Sequence, residues 1–142
     1  MRNLNKATLD LIKSHEGLRL RAYQDSIGVW TIGYGHTRNV HPNDVIDEHT
    51  AEAYLLMDLE VAVDGVSSLV KVGVSDNSFG ALVSFAFNLG LGNLSKSTLL
   101  KLVNQGKIKE AAEEFVKWNK AGGMVLAGLT KRREAEKALF LA

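Results

Sequence analysis

Leu4, Ala7, Leu11, Ile12 and His15 recur at helical spacing and predict a short amphipathic helix over residues 4–16, capped by Asn3 or Asn5 and stopped by Gly17. Leu9, Ile12 and Glu16 share one face of it, so Glu16 prolongs an apolar stripe at the helix end and its carboxyl is expected to be partly desolvated. From Leu18 the period drops to two. Leu18, Leu20 and Ala22 alternate with Arg19, Arg21 and Tyr23, the pattern of a half-buried strand. Gln24-Asp25-Ser26-Ile27-Gly28 is turn chemistry. Residues 29–35 alternate again, with Trp30, Ile32 and Tyr34 on one side and Val29, Thr31, Gly33 and Gly35 on the other. The two runs predict a β-hairpin, followed by a third short strand over residues 37–40.

Beyond Pro42 the periodicity is helical. Residues 47–70 carry Leu55, Leu56, Leu59, Val63, Val66 and Val70 at spacings of three and four, in a helix long enough to link two lobes. Ser75 caps the next helix. Phe79, Leu82, Val83, Phe85, Ala86, Phe87 and Leu89 leave that helix little polar face, which places it at the centre of a helical lobe. Further helices are predicted over residues 97–105, 107–120 and 130–141, separated by Gly106 and by Gly122-Gly123. Helix, small antiparallel sheet, then helices alone is the order of an α+β fold with segregated elements. One domain of residues 1–142 is expected: a helix and β-lobe over 1–47, a linking helix over 47–70, a helical lobe over 71–142, and a cleft between the lobes.

Composition narrows the function classes. The chain has 142 residues, 46% hydrophobic and 23% charged, in the range of ordinary globular domains. It holds no cysteine, which excludes disulfides, thiolate metal sites and cysteine nucleophiles. His15, His36, His41 and His49 do not fall at metal-ligand spacing, and no metal or other cofactor is expected. No run of eighteen apolar residues occurs, so stable membrane insertion is not expected, and the amino-terminal residues lack the apolar stretch of a secretory signal. Charge is uneven: residues 48–95 hold one basic and six acidic groups, residues 96–142 ten basic and five acidic. Lys131-Arg132-Arg133 would suit nucleic acid, but Glu134 and Glu136 alternate with it, so a solvated or salt-bridged face is expected and no nucleic-acid partner. Trp118, among apolar neighbours at helical spacing, is read as core.

Glu16 at a helix end and Asp25 in the hairpin turn are two carboxyls in different surroundings, as glycoside hydrolysis requires: one protonated to serve the leaving oxygen, one ionised. Thr31 follows Asp25 by six residues, and a hairpin brings the two together. Gly33 and Gly35 beside Thr31 are expected to leave open space on that face for a polymeric substrate. By spacing alone, ion pairs and caps would use the same residues.

The run E-G-x-R-x-x-x-Y-x-D, formed by Glu16, Gly17, Arg19, Tyr23 and Asp25, followed by T-I-G-x-G-H from Thr31 to His36, resembles the phage-type lysozymes, the endolysins of glycoside hydrolase family 24. The likeness continues through residues 81–90, through Ser97-Thr98-Leu99-Leu100 and Trp118, and through residues 128–136, so it covers essentially the whole chain. It implies a lysozyme-like fold and hydrolysis of the bond between N-acetylmuramic acid and N-acetylglucosamine with inversion. Glu16 would be the general acid, Asp25 the general base, and Thr31 would help to position the attacking water. His36 would brace the hairpin loop and line the cleft, and Thr37, Phe87, Asn88 and Ser97 would contact the sugar. The implied partner is the peptidoglycan glycan strand. A monomer is expected, made in the host cytoplasm and released to the periplasm, with a holin needed indirectly for access. The chain departs from many relatives after Gly122-Gly123, where Met124 stands in place of lysine; Arg132 and Arg133 remain alternatives for a basic partner of Glu16. The rival readings are a lytic transglycosylase, which needs the glutamate but neither Asp25 nor Thr31, and a catalytically silent cell-wall-binding module.

Overall fold

A computed structural model describes residues 2–142; Met1, part of the amino-terminal stretch for which no secretory signal is expected, lies outside them. The chain forms α1 (Lys6–Glu16), β1 (Arg19–Gln24), β2 (Trp30–Gly33), α2 (Glu48–Leu69), α3 (Asp76–Leu89), α4 (Leu91–Lys96), α5 (Thr98–Asn104) and α6 (Ile108–Glu114). A 3-10 turn (Phe115–Lys117), β3 (Lys120–Ala121), β4 (Met124–Val125) and α7 (Ala127–Leu141) complete it. The segregated α+β order is as the periodicity predicts. No helix among the described residues is long and apolar enough to cross a membrane. Two compact units are present: Ile12–Glu60, and the residues up to Leu11 together with Val61–Ala142.

In the Ile12–Glu60 unit β1 and β2 pair antiparallel, with Tyr23 opposite Thr31 and Gln24 opposite Trp30. The ladder breaks between Arg19 and Tyr23, where a different segment pairs with β1. Ala22 donates its N–H to Asp44 O at 2.9 Å, and Ile46 N–H donates to Leu20 O at 2.9 Å. The third arm is therefore residues 44–46, not 37–40 as the alternation implied. Residues 38–39 turn instead, with Asn39 at a φ of 55°, a left-handed conformation that an extended run cannot contain. β2 also ends early. Gly33 (φ 67°) and Gly35 (φ 84°) fold the chain back so that Ile32 and His36 exchange both main-chain hydrogen bonds at 2.9 Å. A Cβ on Gly33 would lie 3.4 Å from the Cβ of Ala51 and 3.5 Å from Ile46, so the space expected beside Thr31 is filled by α2 and the third arm.

The turn is pinned to α2 by His36, which is 4% exposed. Its Nδ1 lies 2.9 Å and 3.1 Å from the two carboxylate oxygens of Asp58, and its ring stacks on Tyr54 with centroids 4.2 Å apart. Tyr54 and Asp58 are one helical turn apart and so present both groups on one face. Ile12, Ile32, Ala51, Leu55 and Leu59 form the apolar interior of this unit.

The other unit is organised by α3. Ser75 accepts the N–H of Ser78 at 3.0 Å as its cap, and the residues from Ser78 to Ala86 are all buried. Phe85 meets Phe115 and Trp118 edge-on, at centroid distances of 5.8 Å and 5.4 Å, and Phe115 leans on Phe140 at 5.3 Å. Burial of each such ring contributes on the order of 1.5–3 kcal/mol. Helical spacing missed three local features. α4 fills residues that carried no helix signal. The helix predicted over 107–120 stops at Glu114, and the chain then turns into the short β3–β4 hairpin. Gly122 and Gly123, both at positive φ, form the tip of that hairpin rather than a helix stop, and α7 begins at Ala127 rather than at residue 130.

Two expected outcomes follow from these contacts. A Cβ on Gly80 would fall 1.7 Å from Thr8 Oγ1, which is held by Asn5 Oδ1 at 2.8 Å. Gly80→Ala therefore overpacks α3 and lowers stability by about 1–3 kcal/mol in urea titration, outweighing the ~0.5–1 kcal/mol that alanine usually gains in a helix. Asp58→Leu leaves the buried Nδ1–H of His36 without an acceptor and costs about 1–3 kcal/mol, whereas Asp58→Asn keeps an acceptor and costs less. Equal melting temperatures for the two Asp58 variants would contradict this.

Candidate active site

Glu16 is the last residue of α1. Gly17 follows at a φ of 76° and donates its N–H to Lys13 O at 3.0 Å, ending the helix in the left-handed conformation that glycine supplies. The Glu16 side chain is half-buried, and its Oε1 lies 3.5 Å from where a Cβ on Gly35 would stand. The carboxyl thus rests beside the turn that follows β2.

Asp25 follows β1 directly. Its Oδ1 accepts the main-chain N–H groups of Ile27 at 3.0 Å and Val29 at 2.9 Å. Its own N–H donates to Val29 O at 2.9 Å, and Gly28, at a φ of 88°, donates to Asp25 O at 3.0 Å. This is the aspartate-seeded turn that the Gln24–Gly28 run foreshadows. Thr31, 4% exposed, donates its hydroxyl to Val29 O at 2.9 Å. Asp25 and Thr31 are therefore anchored on the main chain of the same residue. The hairpin orients a carboxylate with one oxygen committed to the backbone, and a hydroxyl whose hydrogen is spent while its lone pairs are not.

The other predicted contacts fall in varied settings. His36 is buried behind the turn, bound to Asp58 and Tyr54, and Thr37 beside it is exposed. In the second unit Phe87 is half-buried and Asn88 exposed on the last turn of α3. Ser97 is 6% exposed and caps α5: it accepts Leu100 N–H at 3.0 Å and donates to Leu94 O at 2.7 Å, so its hydroxyl is occupied within the chain. Sequence reasoning missed Tyr54 and Asp58, although a buried histidine demands an acceptor and these two are spaced to supply one. Two recesses of the first unit, about 380 Å³ and 270 Å³, are lined respectively by Lys13, Tyr34 and Glu52 among others and by Arg38, Asp44 and Tyr54 among others. Neither is bordered by Glu16, Asp25, Thr31 or His36, so chemistry rather than concavity marks the site. No cluster of three or more metal-ligating side chains occurs among the described residues.

Of the two expectations for the Lys131-Arg132-Arg133 run, a solvated or a salt-bridged face, Arg132 and Arg133 take the salt-bridged one, and they do so in the interior. They are 4% and 0% exposed, and both turn toward Glu136, itself 0% exposed. Arg133 Nε stands 2.8 Å from Glu136 Oε1, close but misaligned for a hydrogen bond, while Arg133 Nη2 donates to Glu136 Oε2 at 3.1 Å. Ser84 Oγ donates to the same Oε2 at 2.5 Å. Burial pushes the Glu136 carboxyl up from its usual range, against the opposing pull of the two guanidinium groups and the serine hydroxyl.

A family model described as phage lysozyme matches residues 13–136. The endolysin of Bacillus phage B103 is 53% identical over 98% of this chain, and the endolysin of Acyrthosiphon pisum secondary endosymbiont phage 1 is 44% identical over 97%. The chain spans 97% of the latter protein but only 54% of the former, about half its length. Among solved structures, the muramidase domain of SpmX from Asticaccaulis excentricus superposes with a TM-score of 0.92 at 40% identity, covering 100% of this chain and 99% of that one. The α+β architecture is thus lysozyme-like. The matched span takes in the end of α1, the hairpin and the buried α3, and the chain belongs to the phage lysozyme family.

Proposed function

We propose that the chain is a muramidase that hydrolyses the β-1,4 bond between N-acetylmuramic acid and N-acetylglucosamine in bacterial peptidoglycan, in the service of host-cell lysis. Family membership supports the reaction class. The observation that carries the residue assignment is the shared anchorage of Asp25 and Thr31 on Val29, in the hairpin whose following turn lies against Glu16.

In this reading Glu16, protonated, gives its proton to the glycosidic oxygen as the bond to the anomeric carbon breaks. Asp25 takes a proton from a water molecule through the carboxylate oxygen that the turn leaves uncommitted. The lone pairs of Thr31 Oγ1 accept the water's other hydrogen and hold it for attack on the opposite face of the sugar. The water oxygen bonds to the anomeric carbon, so configuration inverts and Glu16 and Asp25 exchange protonation states. Nothing in this chemistry needs a cofactor. His36 serves by bracing the turn, and Phe87 and Asn88 serve as sugar contacts. Ser97, closed into its cap, contributes through the position of α5. The proposed protein acts as a monomer on glycan strands, reaching them in the periplasm once a holin opens the inner membrane.

Loss of turbidity of permeabilised Gram-negative cells, together with mass spectrometry of the released fragments, tests the assignment. Glu16→Gln and Asp25→Asn are each expected to slow hydrolysis by roughly 10²–10⁴-fold without loss of folding. Thr31→Ala is expected to lower kcat more than it changes KM. Products ending in 1,6-anhydro-muramic acid would replace hydrolysis by transglycosylation. Retained binding to sacculi without any clearing by the unaltered chain would leave a binding module.

A further inference from the structure

The Ser84–Glu136–Arg133 network, which Arg132 also joins, reaches an exposed side chain at Asn88. The Arg133 guanidinium is 0% exposed, lies over the ring of Phe85 at 5.3 Å, and is bound on its inner side by Glu136. On its outer side Nη2 donates to Asn88 Oδ1 at 2.7 Å, and Nη1 reaches Trp118 O at 3.5 Å. Asn88 alone among these side chains is exposed. An asparagine amide offers an acceptor at one end and two donors at the other, and a free one presents either end. Here the acceptor is claimed by a buried, permanently charged donor, so only one orientation is compatible with the bond. The Asn88 NH₂ group makes no hydrogen bond among the described residues.

We propose that Arg133 is a positioning residue that locks the Asn88 amide with its NH₂ group outward, making it a fixed donor to an acceptor oxygen of the glycan. This rests on the muramidase reading for the identity of the ligand. The acetamido carbonyl is the acceptor that fits, since both sugars of the strand carry one and a donor held in one orientation prefers a carbonyl to a hydroxyl able to play either role. A de-N-acetylated sugar presents an ammonium there, which cannot accept. The arrangement also accounts for a fully buried arginine. Its two faces separate an internal carboxylate from a surface amide, and a point-charge lysine could not fork to both.

The test measures affinity for soluble peptidoglycan fragments with the full chain carrying Glu16→Gln, so that binding is read without turnover. Asn88→Ala is expected to weaken binding about tenfold for N-acetylated fragments and far less for enzymatically de-N-acetylated ones. Arg133→Met removes the lock while Glu136 keeps Arg132 Nε at 3.4 Å and the Ser84 hydroxyl at 2.5 Å, so the buried carboxylate is not left without a partner. In that background Asn88→Ala is expected to cost less than about threefold. The Asn88 side-chain amide order parameter, read by NMR without ligand, is expected to fall. An unchanged order parameter, an equal Asn88→Ala effect in both backgrounds, or no effect of Asn88→Ala would each overturn the proposal. An effect of equal size on acetylated and de-acetylated fragments would remove the carbonyl as the acceptor. The muramidase reading fails by a different result, absence of glycan cleavage by the chain with Glu16 intact.

Discussion

Val29 has one amide hydrogen and one carbonyl, and its neighbours use both. The amide is taken by the Asp25 carboxylate, and the carbonyl by the Asp25 N–H and the Thr31 hydroxyl. Each of these bonds contributes little by itself, of order 1 kcal/mol net. Together they convert a four-residue turn into a rigid mount for the Asp25 and Thr31 side chains.

The hairpin keeps this geometry because its far end is also held. Gly33 and Gly35 adopt left-handed conformations that let the chain double back at His36, and His36 is closed between Tyr54 and Asp58. Gly33 also lies against α2, where a Cβ would stand in van der Waals contact with Ala51 at 3.4 Å. Gly33 thus serves conformation and packing and not the creation of an open surface, whereas Gly35 is exposed and a Cβ there would meet only the Glu16 carboxyl. The spacing of a motif can therefore carry structural requirements alongside chemical ones, and here they fall on alternate residues of one strand and its turn.

In the second unit a polar network replaces part of the apolar interior. Glu136, Arg132, Arg133 and Ser84 are all buried, with Arg133 over the ring of Phe85, and buried ions cost more in desolvation than aliphatic side chains would. The misalignment of Arg133 Nε with Glu136 Oε1 means that this cost is not fully recovered within the pair. What the network supplies is direction. It gives Arg133 a fixed plane, and through that plane it sets the orientation of a surface amide at the end of α3.

Local patterns carried much of the fold because they arise from local physics. The apolar spacing of α1, α2 and α3 follows from side chains that must face one way on a helix, the Ser75 cap from one hydroxyl and one amide, and the Asp25 turn from bonds spanning four residues. The local settings of Glu16, Asp25 and Thr31 were legible for the same reason: a helix stop, a turn and a strand fall within sixteen residues of each other. Where a residue's partner lies far along the chain, the pattern failed. Residues 44–46, not 37–40, complete the sheet, because Leu20 and Ala22 choose the partner that tertiary packing brings to them. Lys131-Arg132-Arg133 reads as a surface run, yet two of its members are buried, because Glu136 lies one helical turn on and Ser84 and Asn88 come from a helix some fifty residues earlier. Alternation and helical periods record which way a side chain points relative to its own element; what it meets there depends on elements that only the folded chain brings near.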